Sequence, residues 1–201
     1  MANTVPTVEI AGIAQAHAAL AASIAELTDE VVRRPSRLPG WSVGHVLTHV
    51  ARNADSVVRR LAGAAAGRVV DQYAGGTDGR ARDIEEGSAR AAADLVADVL
   101  DTNRAVETAI AALPSDAWDR LTRSVSGSEQ PAREVVSSRW REVEVHHVDL
   151  GLDYTSAQWP DDLVERWLPG AKAQFLDTVD QRALLAWLVG RAPAPELKAW
   201  G

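Results

Sequence analysis

Between Val43 and Ala65 the sequence "VGHVLTHVARNADSVVRRLAGAA" places apolar side chains at Val43, Val46, Leu47, Val50, Ala54, Val57, Val58 and Leu61. Steps of three and four residues fall on one side of a helix with about 3.6 residues per turn. A stripe this long must be buried, and only other helices with matching stripes can cover it along its whole length. Three further segments carry the same period. Ile10, Ile13, Ala16, Leu20, Ile24 and Leu27 mark a first helix. Ala92, Leu95, Val99, Val106, Ile110 and Leu113 mark a third, predicted from about Arg82 to Leu113, where Pro114 stops it. Val135, Val136, Trp140 and Val143 mark a fourth, with Pro131 suited to its first turn. No run of alternating strands competes with this pattern.

The breaks support the same division. "RRPSRLPGW" cannot continue a helix, and Ser42 is placed to cap the one that follows. "GRVVDQYAGGTDGR" reads as a flexible crossover, and "WDRLTRSVSGSEQP" as a short strand or irregular loop. The expected fold is all-α, a four-helix bundle over residues 1–154 with one or two longer connections. A short, mainly helical appendage, "PDDLVERWL" and "QRALLAWLVGR", is expected over residues 155–201.

Composition narrows the function. A net charge of −7 and a pI near 5.2 give no basic footprint for nucleic acid or for an acidic membrane. The chain has no cysteine, so any sulfur nucleophile must come from another molecule. The N-terminus lacks a basic segment followed by an apolar one, and no apolar run approaches a membrane span. The expected location is therefore the cytoplasm.

The chain has five histidines, and "WREVEVHHVDLG", residues 140–151, holds two of them. On a helix Glu142 and His146 lie about 40° apart and one turn from each other, and Asp149 returns to the same face. A metal needs at least a third protein ligand. His49, on the apolar stripe of the second helix, is the candidate, because a bundle brings facing helices within about 8–10 Å. His49, Glu142 and His146 would leave a coordination position open, with Asp149 accepting a hydrogen bond from a ligand imidazole. Two histidines and a carboxylate suit zinc, and also iron(II) or nickel. By spacing alone the same residues also read as a core histidine and a solvated ion pair. His45 and His147 read as structural or exposed, Glu144 as solvated, and His17 as helix surface. Arg52, Arg139 and Arg141 read as solvated charges, with recognition of an anionic substrate by one of them as the alternative.

"LPGWSVGHVLTHVARNA" together with "REVEVHHVDLG" resembles the mycothiol-dependent maleylpyruvate isomerase family, a branch of the DinB-like metal-binding four-helix bundles. The resemblance covers roughly residues 8–154. It implies that His49, Glu142 and His146 bind zinc and that mycothiol is the external thiol. It further implies that the thiolate adds to the cis double bond of maleylpyruvate, so that rotation and elimination yield the trans isomer. Transfer of the thiol to another electrophile, or a noncatalytic metal- or small-molecule-binding role, uses the same site. Arg191 in "VGR" matches an arginine near the family's C-terminus. The resemblance implies that Arg191 meets an anionic thiol or substrate; Asp149 and Arg191 are the candidate catalytic residues, and Arg52 and Arg191 the candidate cofactor contacts. The strand-rich portion that precedes this tail in fuller members is absent here. The expected partners are a small electrophile and the thiol, and the expected state is monomer or homodimer.

Overall fold

The Ser42 hydroxyl accepts from the His45 backbone N–H, and the His45 ring accepts from the Ser42 N–H. This reciprocal cap starts the longest helix, α3 (Val43–Ala65), where the sequence predicts it. The computed structural model describes residues 5–196. Numbered along the chain, the other long bundle helices are α1 (Thr7–Ile24), α5 (Ala92–Ala111) and α6 (Ala132–Asp149). Helix α3 packs on α5 and α6, while α1 closes the bundle against both of them.

The core is built from the predicted stripes. Ile13, Leu20, Val46, Leu47, Val50, Leu61, Leu95, Val99, Val106, Val135, Val136, Trp140 and Val143 are all buried. Each large aliphatic side chain so buried contributes roughly 1.5–3 kcal/mol. The α1–α6 approach depends on one small residue, since a Cβ on Gly12 would lie 2.3 Å from the Trp140 indole.

Two expectations change in the connections. The third helix is two: α4 (Gly76–Ser88) ends, and α5 begins at Ala92 after an extended Ala91. The cap for α5 comes from far away in sequence, because Asp29 in the short helix α2 (Asp29–Val32) accepts from the Ala92 N–H at 2.7 Å. Helix α4 can then lie close on α3: a Cβ on Gly44 would meet the Ser88 carbonyl at 2.3 Å, and one on Gly87 would meet Thr48 at 2.5 Å. The crossover before α4 is also pinned, since Arg59 donates to the Asp71 carbonyl and Val125 N donates to Gln72. The fourth connection is an antiparallel hairpin of β1 (Leu121–Arg123) and β2 (Glu129–Pro131), turned by Gly127 at φ +85°. Pro131 is the N-cap of α6.

Helix α1 spans 18 residues with a mean hydropathy of 1.2, which by length and composition is enough to cross a membrane, contrary to expectation. Its inward face is Gly12, Ile13, Ala16, His17, Leu20 and Ile24. His17 is buried and bonds Glu107 of α5 at 2.9 Å, so it is not on the helix surface. His17 stands four residues after Ile13 and three before Leu20, on the stripe that the periodicity marks as inward.

The chain divides into two compact units, residues 1–159 and 160–201. Segment 155–159 is tied to the first by Trp159, whose Nε1 donates to the Glu144 carbonyl at 3.2 Å. Within the second unit, α7 (Asp161–Thr178) contains Pro169, and α8 (Gln181–Leu188) is capped by the Asp180 side chain.

Candidate metal centre

One turn of α6 separates Glu142 from His146, and the inward stripe of α3 brings His49 to meet them. His49 Nε2 lies 3.0 Å from His146 Nε2 and 3.2 Å from Glu142 Oε2, and His146 Nε2 lies 3.4 Å from the same carboxylate oxygen. Bonds of about 2.0–2.1 Å to a tetrahedral ion separate its ligand atoms by roughly 3.3 Å, so these spacings match three corners of such a shell. The two imidazoles meet at 88° with centroids 4.5 Å apart, which lets both Nε2 atoms converge on one point. This is the sole such group of histidine and carboxylate ligands among the described residues. The donor set fits a borderline divalent cation.

Electrostatics agree with this reading. Burial pushes His49 down to about 4, with the charges of His146 and Arg80 adding to the effect against the pull of Glu142. A neutral imidazole is the ligand form. Burial also acts to lower His146, but hydrogen bonds to Asp149 and Glu142 win and raise it. Burial would raise Glu142, yet the hydrogen bonds from His146 and His49 hold its carboxyl far below the usual range. His146 Nδ1 donates to Asp149 at 2.9 Å, which leaves its Nε2 lone pair facing the centre. The Trp41 ring stands edge-on to His49 at 5.7 Å and covers that side.

Beyond the triad, several residues depart from expectation. Arg139 is fully buried and donates to the Val50 carbonyl, Asn53 and Asn103. It lies on the inward face of α6 among Val135, Val136 and Val143, and the two asparagines make that position tolerable for a cation. Glu144 is 2% exposed and accepts from the Tyr154 hydroxyl at 2.5 Å, so it is not solvated. His147 is buried, stacked on Tyr154 at 3.7 Å, and bonded to Ser23. His45 serves the α3 cap and meets Glu85 at 3.3 Å.

The arginines separate clearly. Arg52 is held by Asp55 at 2.8 Å and Asp98 at 2.7 Å, so its charge is already met. Arg191 belongs to the second unit, where it is exposed and donates to the Val189 and Gly190 carbonyls. Arg80 of α4, which the sequence reading passes over as part of a turn-rich segment, donates from Nη2 to His49 Nδ1 at 3.3 Å. Its position after the glycine pair carries no periodic signal that would reveal it.

A four-helix bundle in which two histidines and a carboxylate from facing helices could hold a metal ion is a bundle of DinB-like fold. The chain belongs to the mycothiol maleylpyruvate isomerase N-terminal domain family, whose model matches residues 13–151. The fold is similar to a crystal structure of the mycothiol-dependent maleylpyruvate isomerase, with a TM-score of 0.76 and 23% identity. A histidine-to-alanine mutant of that enzyme matches with the same TM-score at 22% identity. Each match covers 80% of this chain and 66% of the other. No curated protein sequence matches the chain.

Proposed function

We propose that the protein is a metal-dependent enzyme that uses mycothiol, with cis–trans isomerisation of maleylpyruvate or a close analogue as its reaction and the cytoplasm as its location. The observation that carries this reading is the convergence of His49, Glu142 and His146 in a member of this family. These three residues would hold zinc, with iron(II) or nickel suited to the same donors. Zinc supplies a lowered thiol pKa when bound, and mycothiol supplies the sulfur that a chain without cysteine lacks.

The chain's own residues do the rest. His49 presents a neutral imidazole and His146 a second Nε2 atom from the facing helix, and Glu142 offers a carboxylate that stays ionised through the physiological range. Asp149 keeps the His146 proton on Nδ1, and the Trp41 ring packs edge-on to His49.

The test is turnover of maleylpyruvate by zinc-loaded protein with no thiol, with glutathione and with mycothiol, each at equal concentration. Turnover is expected with mycothiol above both others. Equal turnover without thiol would overturn the cofactor assignment. A stable thioether product in place of the trans isomer would make the enzyme a transferase.

A further inference from the structure

Although the protein is acidic overall, the surroundings of the centre are rich in cations. Glu142 feels the charges of Arg60, Arg139 and Arg141, and Arg80 touches His49. Arg139 is consumed by its three hydrogen bonds in the core. Arg60 and Arg80 are not so engaged. Arg60 is 3% exposed, its Nε donates to the Ser56 carbonyl, and among the described residues its guanidinium forms no ion pair. Arg80 also has no carboxylate within ion-pair distance among the described residues; its contacts are His49 and, at 5.9 Å, the face of Tyr73. Tyr73 is buried.

The hydrogen bond from Arg80 has a chemical consequence. A guanidinium can only donate, so His49 Nδ1 must accept and the ring proton must sit on Nε2. An imidazole that ligates through Nε2 carries its proton on Nδ1 instead, which then opposes the Arg80 N–H. Metal loading and the Arg80–His49 bond are therefore mutually exclusive. The loaded centre leaves Arg80 beside it, with the Nη2 donor that met His49 released.

The backbone is built to put Arg80 there. Gly75 and Gly76 adopt φ +77° and +64° to turn the chain into α4. Gly79 is so close to the Ala74 carbonyl that a Cβ would lie 2.1 Å from its oxygen. Any larger residue would shift the first turn of α4 and Arg80 with it.

We propose that Arg80, released from His49 when the metal binds, holds a carboxylate of a short organic dianion beside the centre. This rests on the isomerase reading for its substrate class, but its test needs neither thiol nor turnover. Maleate is titrated calorimetrically into zinc-loaded protein, and zinc affinity is measured separately by chelator competition. Arg80→Ala is expected to weaken maleate at least about tenfold, the loss of a charge-assisted pair. Arg80→Lys should recover part of that loss, and Arg82→Ala, an exposed neighbour on α4, should bind as the parent does. Zinc affinity in Arg80→Ala should stay level or rise, because a competitor for His49 is gone. Unchanged maleate binding in Arg80→Ala, no maleate binding by the parent, or a loss of zinc affinity as large as the loss of maleate would each overturn the proposal. Maleate binding that depends on Arg80 in a protein inert toward maleylpyruvate would instead refute the isomerase reading and leave this one standing.

Discussion

Asp149 offers the sharpest test of how the centre is tuned. Its carboxylate accepts from His146 Nδ1 at 2.9 Å, one helical turn from the ligand set. Two effects are combined there: the hydrogen bond fixes the tautomer, and the negative charge makes Nε2 a better donor to a cation. Asp149→Asn keeps an acceptor oxygen but loses the charge, while Asp149→Ala loses both. Partners of this kind are worth about 10–100-fold in metal affinity, so Asn is expected near the lower figure and Ala near the upper. In free energy this is about 1.4 and 2.7 kcal/mol. Competition with a chromophoric chelator at pH 7.5 reads the affinity, and thermal melting of the metal-free variants checks the fold. The pH dependence adds a second readout. Asp149 also stabilises the proton on His146, whose pKa is raised, so below that raised value the metal must displace a proton that Asp149 helps to hold. The gap between parent and variants should therefore be widest above the His146 pKa and narrow as the pH falls through it. Equal affinity in all three proteins, or a gap that widens on acidification, would refute this account of Asp149.

Chelation should destabilise the bundle without unfolding it, since His49, Glu142 and His146 already hydrogen-bond one another. Free metal at 100 times its Kd adds about 2.7 kcal/mol, which for a chain of this size is roughly 5–10 °C in Tm by differential scanning calorimetry. Burial, with the charge of Arg139, lowers His17 to about 3 from an unfolded value of 6.5. The unfolded state therefore takes up this proton first as the pH falls, and stability is lost between pH 6.5 and 3. At pH 5 that amounts to about 2 kcal/mol. Urea midpoints at pH 7.5 and 5 should move less in His17→Asn than in the parent.

Much of the bundle was legible because burial along a helix leaves a periodic trace. The stripe from Val43 to Leu61 identified α3, Ser42 identified its start, and the spacing of Glu142 and His146 put two ligands on one face. His49 followed from the inward direction of that stripe together with the family motif. Other features had no such trace. The break between α4 and α5 depends on Asp29 capping Ala92 from a distant helix, and His17 is tolerated on the inward stripe of α1 because Glu107 of α5 meets it. Arg139 and Glu144 are charged residues that become buried only because Asn53, Asn103 and Tyr154 arrive from elsewhere to satisfy them. Arg80 reaches the centre because three glycines let the start of α4 turn sharply against its own chain. Local sequence determines which face a helix must bury, because that depends on spacing along one element. Which polar group can share that buried face depends on partners from other elements, and only the tertiary structure brings them within hydrogen-bonding reach.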